Sequence, residues 1–159
     1  ITLNMGAGDS APKLEASTKA MAAIVQGRVV QTATRRRTTF NVPKNRKIGV
    51  KVTLRGERAA SLLKRLVAAN EGKIKARAFD RQGNFSFGVK EYIHIPGVSY
   101  NPEVGILGLD VCVTLEKPGF RVRKRRIRQR PVGRRQLISP AEAKAWAKAF
   151  GFTVQEADE

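Results

Sequence analysis

The chain has 159 residues, with 31 Lys+Arg against 13 Asp+Glu, a net charge of +18 and a pI of about 11.1. A surface so far from neutral attracts polyanions, which points to nucleic acid rather than to a membrane or an acid-neutral partner. A hydrophobic content of 42% excludes a purely disordered basic tail, and a chain of this length suits one ordinary domain.

Ile1 to Met5 alternates apolar and polar and predicts a strand. The chain opens there without Met, so the expectation is that further sequence precedes it. Gly6-Ala7-Gly8-Asp9 breaks the strand. Ser10 is placed to cap a helix whose first turn tolerates Pro12. Leu14, Met21, Ile24 and Val25 form its apolar face, and Gly27 is the expected left-handed cap. Val29 to Thr34 is β-rich and leads into Arg35-Arg36-Arg37, and residues 38–46 read as a loop. Ile48, Val50, Val52 and Leu54 then alternate with Gly49, Lys51, Thr53 and Arg55, a half-buried strand with one cationic face. Leu62, Leu63, Leu66 and Val67 predict a second helix closing near Gly72.

Residues 80–84 predict a turn. Phe85, Phe87, Val89, Ile93 and Ile95 predict one long strand, on which His94 would lie, and Leu109, Val111, Val113 and Leu115 predict the last. Residues 121–135 hold nine Arg or Lys and no acid, a block that repels itself. Ser139-Pro140-Ala141-Glu142 is a capping box opening a short helix with Trp146 and Phe150, ended by Gly151. Strands without long parallel crossovers, with helices between them, predict an α+β fold on a mostly antiparallel sheet. The expected division is an α+β domain over 1–120, an Arg-rich extension over 121–138 and a terminal helix and tail over 139–159 that packs on the same domain.

Three features point to polynucleotide. The basic arm (Arg121, Arg123, Lys124, Arg125, Arg126, Arg128, Arg130, Arg134 and Arg135) can fork onto phosphates and stack on bases; a solvated tail or a localisation signal is the plainer alternative. The stretch from Arg28 to Lys51 carries eight basic residues and no acid, with Phe40 among them. That ring either stacks on a nucleotide or anchors the loop in the core. The third feature is the strand face of Lys51, Thr53 and Arg55, which taken alone fits an ordinary solvent-facing sheet as well. Catalysis has little support. His94 is the only histidine and has no partner for a metal site or a triad, and Gly6-Ala7-Gly8 lacks the rest of a phosphate loop. Cys112 is the only cysteine, which rules out an internal disulfide, suits a reducing compartment and reads as inert packing. There is no run of eighteen apolar residues, and no signal peptide is visible, which carries little weight if sequence precedes Ile1. No cofactor, metal or membrane partner is expected.

The blocks Ile1-Thr2-Leu3-Asn4-Met5-Gly6, Ile48-Gly49-Val50-Lys51-Val52-Thr53-Leu54-Arg55-Gly56-Glu57 and Phe79-Asp80-Arg81-Gln82-Gly83-Asn84-Phe85-Ser86-Phe87-Gly88-Val89-Lys90-Glu91 resemble hallmark blocks of the large-subunit ribosomal protein L five family, and Gly108-Leu109-Asp110 matches a further one. The basic segment and capped last helix resemble the archaeal and eukaryotic branch, archaeal in style. The resemblance implies a structural ribosomal protein in the cytoplasm. It implies contacts with 5S rRNA and 23S rRNA in the central protuberance, with neighbouring proteins there, with P-site tRNA and with the small-subunit head through an intersubunit bridge. It carries Asn4 and Thr53 over as 5S rRNA contacts and Phe40 less closely, because the loop differs. Arg28 stands where the family often has Gln, a departure that puts the family's hydrogen bond there in doubt and opens a phosphate contact in its place. Lys51 and Arg55 join this set from the strand face. The tRNA loop would run from Arg37 to Lys47 and include Thr38, Thr39, Phe40, Asn41, Lys44 and Arg46. The arm would lie on rRNA. A free RNA-binding chaperone or regulator is the other class left open, and an RNA-processing enzyme resting on His94 the third.

Overall fold

The computed structural model describes residues 1–25, 27–37 and 42–155. In chain order the elements are β1 (Thr2–Gly6), α1 (Ala11–Ile24), β2 (Val30–Ala33), β3 (Lys47–Thr53), α2 (Gly56–Ala69), β4 (Lys73–Lys75), β5 (Phe85–Val89), β6 (Leu109–Val113), α3 (Arg121–Lys124), α4 (Pro140–Phe150) and β7 (Thr153–Gln155). Five strands form one sheet in the order β2-β3-β1-β6-β5, and β4 pairs with β7 in a separate parallel ribbon. The class is α+β, as expected.

The chain divides into two compact units: Ile1–Glu71 with Gly88–Val111, and Gly72–Phe87 with Cys112–Glu159. In the first unit β3 pairs antiparallel with both β1 and β2. Its core follows from the two periodicities of the sequence. Leu3, Met5, Val50 and Val52 alternate inward from the strands. Ser17, Ala20, Met21 and Ile24 face inward from α1, which packs on β1 and β3, and Ala59, Leu62, Leu63 and Leu66 are the buried stripe of α2. Burying each large aliphatic of this set contributes on the order of 1.5–3 kcal/mol.

Several expectations need correction. Ser10 occupies the cap position of α1, but its side chain makes no capping hydrogen bond, and the helix ends at Ile24 on an extended Val25, short of Gly27. The long strand from Phe85 stops at Val89. Residues Tyr92–His94 form a 3-10 turn, so His94 is on a turn and not on a strand. The buried Tyr92 and Ile95 bracket that turn, which explains why apolar spacing ran on past the true end. The last strand ends at Val113, and Cys112 sits on its exposed side; alternation with buried Val111 and Val113 forces it outward.

The second unit is organised by aromatic rings. The Phe85 ring lies 5.1 Å from that of Phe79 and 5.7 Å, edge-on, from that of Phe152. Phe87 also meets Phe152 edge-on at 5.7 Å, and Trp146 stacks on Phe150 at 5.0 Å. The capping box of α4 is present. Ser139 Oγ accepts from the Glu142 N–H, and Glu142 Oε2 accepts from the Ser139 N–H at 2.9 Å. Gly151 ends the helix at φ 111°. The turn at 80–84 is held by Asp80, whose carboxylate accepts from the Gln82 N–H, the Asn84 N–H and the Asn84 side chain at 2.7–2.8 Å. Gly83 in that turn has φ 75°, and a Cβ there would lie 2.7 Å from Ile138.

Candidate nucleic-acid interface

The strand register decides which side chains share a surface. Directly opposed residues in an antiparallel pair point to the same face. Leu3 opposes Val52 and Met5 opposes Val50, and all four are buried. The other parity therefore turns outward. Thr2 opposes Thr53, Asn4 opposes Lys51, and across β3 Lys51 opposes Val30 and Gly49 opposes Thr32. Lys51 and Thr53 are exposed, Thr2 and Asn4 half-buried, and the hydroxyls of Thr2 and Thr53 are 3.4 Å apart. Asn4, Lys51 and Thr53, singled out from sequence, thus lie side by side on one hydroxyl-, amide- and ammonium-bearing face. Arg55 lies two residues beyond the end of β3, at the cap of α2, exposed. Arg28 is exposed between α1 and β2.

Gly49 belongs to this face for a reason the sequence did not reveal. A Cβ there would sit 2.9 Å from the Met5 carbonyl oxygen and 3.1 Å from Thr32 Oγ1, closer than the backbone of β1 can accommodate.

The loop from β2 to β3 has a tied base. Thr34 is buried, its Oγ1 donates to the Pro43 carbonyl at 2.6 Å, and the same oxygen accepts the Arg46 N–H at 3.1 Å. The Thr34 N–H donates to the Arg46 carbonyl and the Asn45 N–H to the Thr34 carbonyl, both at 2.9 Å. Asn45 takes φ 66° to close the turn. Arg46 Nε pairs with Asp9 at 2.6 Å. Arg37, Lys44, Arg46 and Lys47 are all exposed at this end, so cations crowd a base that hydrogen bonds hold shut. Thr38, Thr39, Phe40 and Asn41 lie outside the described residues. Thr34 was missed because a buried threonine in a β-rich run reads as ordinary strand.

In the second unit every basic residue of the arm is exposed. The arm has local structure. Residues Arg121–Lys124 form one helical turn and Arg134–Gln136 a 3-10 turn. Arg125 Nε donates to the Arg128 carbonyl at 2.8 Å, Gln129 Nε2 to the Arg123 carbonyl at 2.6 Å, and the Arg130 N–H to the Val122 carbonyl at 3.3 Å. Among the described residues Lys124 is the arm cation that meets an acid, Glu116. Arg123 and Lys124 lie over the Phe120 ring at 5.7 and 5.2 Å. Backbone acceptors thus absorb part of the crowding and leave the guanidinium edges outward.

One stretch has the opposite character. Between Lys90 and Lys117 there is no Lys or Arg, while Glu91, Glu103, Asp110 and Glu116 fall within it. Its loop exposes Tyr100 and Ile106 and is pinned to its own unit. Val104 is buried, the Asn101 N–H donates to Tyr92 Oη at 3.3 Å, and Glu103 pairs with Lys19 at 2.6 Å. The Lys19 ammonium holds the Glu103 carboxyl below its ordinary range. Two of the acids of this stretch are answered by lysines from other elements, Glu103 by Lys19 and Glu116 by Lys124. His94 is exposed, with Nε2 3.9 Å from Glu91.

The family model that describes the C-terminus of the ribosomal protein L five family matches residues 47–154. The chain is 43% identical over 156 residues to the large ribosomal subunit protein uL5 of Cenarchaeum symbiosum, covering 97% of this chain and 92% of that protein. It is 42% identical over 156 residues to that of Nitrosopumilus maritimus, at 97% and 90% coverage. Against that of Methanosphaera stadtmanae it is 38% identical over 156 residues, at 97% and 93%.

Proposed function

The chain belongs to the uL5 family of ribosomal proteins, and on that premise we propose that it anchors 5S rRNA in the large ribosomal subunit through the outward face of β1 and β3. Its role is that of a structural, non-enzymatic rRNA-binding constituent of the large subunit, in translation in the cytoplasm. Within that role Asn4, Lys51 and Thr53 grip the 5S rRNA backbone, with Arg28 and Arg55 at the margins of the same unit. The arm from Arg121 to Arg135 lies on 23S rRNA. The loop between β2 and β3 offers Arg37, Lys44, Arg46 and Lys47 to P-site tRNA. The loop with Tyr100 and Ile106 suits protein contacts, those of central-protuberance neighbours and of the small-subunit head, because it exposes an aromatic and a large aliphatic side chain.

The observation that carries the 5S reading is the register: Leu3, Met5, Val50 and Val52 are buried on one parity of β1 and β3, and the other brings the amide of Asn4, the ammonium of Lys51 and the hydroxyls of Thr2 and Thr53 onto one face. Such groups bond phosphate and 2′-hydroxyl oxygens, the features by which RNA is held at its backbone. Gel-shift titration with 5S rRNA against an unrelated RNA of equal length tests it. Preferential retention of 5S rRNA is the expected result, and equal affinity for both RNAs would contradict it. Co-sedimentation with large subunits through a moderate salt wash distinguishes a resident constituent from a free chaperone, which would leave.

A further inference from the structure

We propose that the second unit carries a site for unpaired RNA, a trench with stacking rings in each of its two halves. This deepens the arm–rRNA reading and rests on it. Two adjoining clefts, of about 530 and 300 Å³, share the walls 114–117 and Ile138 and so form one groove. Each is within the size range of small-ligand sites, about 300–1,000 Å³. Trp146 lines the larger cleft, and Phe120, with Arg123 and Lys124 above its ring, lines the smaller. Between them run the half-buried apolar side chains of Leu115 and Ile138.

The chemistry fits a nucleotide better than it fits a phosphate alone. Trp146 is stacked on Phe150 yet stays 37% exposed, an apolar cost that a bound base would remove. The acids lining the groove are already answered: Glu116 by Lys124, and Glu142 by Lys117 at 3.0 Å. Arg123 has no acidic partner among the described residues and remains available to a phosphate. Ring platforms beside cations are the hallmark of single-strand sites, because every base offers a π-face. A duplex keeps those faces stacked inside and presents only phosphate, ribose and groove edges. The groove is also preformed. Lys117 Nζ donates to the Leu137 carbonyl at 3.3 Å, the Gln136 side chain donates to the Pro118 carbonyl, and the capping box fixes the start of α4, so little ordering is required on binding.

Trp146 is the only tryptophan of the chain, so its emission reports on the groove directly. The full chain is titrated with fluorescein-labelled oligouridylate and, separately, with a labelled RNA duplex of equal length. Polarisation follows binding and tryptophan emission follows stacking. The single strand should quench Trp146 and the duplex should not. Trp146→Leu should weaken single-strand binding about tenfold and leave duplex binding within about twofold, while Trp146→Phe retains most of the affinity. Phe120→Ala should repeat the selective loss from the other cleft, which keeps the test valid should Trp146→Leu disturb the aromatic cluster. Polarisation with no quenching and no selective loss overturns the trench and leaves the arm reading intact. Equal loss for single strand and duplex marks the rings as scaffold and overturns it too. No polarisation with either RNA removes the arm reading itself.

Discussion

Replacing Thr34 by Val keeps the shape of the side chain and removes its hydroxyl. That oxygen serves two partners, donating to the Pro43 carbonyl at 2.6 Å and accepting the Arg46 N–H at 3.1 Å. A net hydrogen bond contributes about 1 kcal/mol, and a buried partner left unsatisfied costs up to about 3 kcal/mol. Thr34 itself is only 7% exposed, but Pro43 and Arg46 are exposed, so water can recover part of the loss. About 2 kcal/mol results, which lowers Tm by roughly 4–8 °C for a chain of this size. Thr34→Ser keeps the hydroxyl and should fall much less. The companion assay is amide exchange at Arg46 and Asn45, whose protection should drop in the Val variant. The Val variant should also bind tRNA more weakly, since the cations around the closed base lose their fixed spacing. A Val variant as stable as the parent, with Arg46 protection unchanged, would refute the clamp.

Gly49→Ala should cost about 1–3 kcal/mol in a denaturant titration, because its Cβ would meet backbone at 2.9 Å; Gly6→Ala, opposite it in register with nothing within 4 Å, should be nearly neutral, and equal costs would contradict this. The second unit should lose stability in acid. For Asp80, burial alone would raise its pKa, but the hydrogen bonds from the Asn84 side chain, the Asn84 N–H and the Gln82 N–H outweigh it and carry the value below the ordinary 3.8. Glu142 is held below 4.5 chiefly by the Ser139 N–H and then by Lys117. Groups with lowered folded-state values stabilise the fold above their ordinary values, and that stability drains as pH falls through the folded ones, below about pH 4. Melting curves from pH 6 downward should show this for the parent and less of it for Asp80→Ala; identical acid slopes would tell against it. For RNA binding, on the order of six phosphate contacts of single-strand character predict a slope near −4 of log affinity on log salt, and a flat titration would contradict an electrostatic grip.

Where one residue type at one period decided the matter, the sequence was enough. Val50 and Val52 alternating with Lys51 and Thr53 placed β3 and its faces, and Ser139 to Glu142 placed the start of α4. The three-residue strands β4 and β7 went unread, because Lys-Ile-Lys and Thr-Val-Gln are too short to show a period and their pairing spans about half the chain. The strand past Val89 was over-read because Ile93 and Ile95 sustain an apolar spacing that a 3-10 turn also satisfies. The polar face was legible as residues and not as a surface, since Asn4 and Lys51 become neighbours only through the register. Thr34 and Gly49 act through backbone partners distant in sequence, a kind of constraint that leaves no local pattern. The groove beneath the arm was hidden for a similar reason: Trp146 and Phe120 are far apart in sequence, and only the shared wall of Leu115 and Ile138 puts their clefts side by side.

The most direct test is the dissociation constant for 5S rRNA of the combined Asn4→Ala, Lys51→Ala, Thr53→Ala variant, measured beside its Tm. Loss of two neutral hydrogen-bonding groups and one cation should weaken binding by about tenfold or more while Tm stays within about 2 °C of the parent; Val52→Asp, one residue away on the buried face, should instead unfold the sheet. Unchanged 5S affinity in the triple variant, or a collapse of its Tm, would contradict the assignment of that face to RNA.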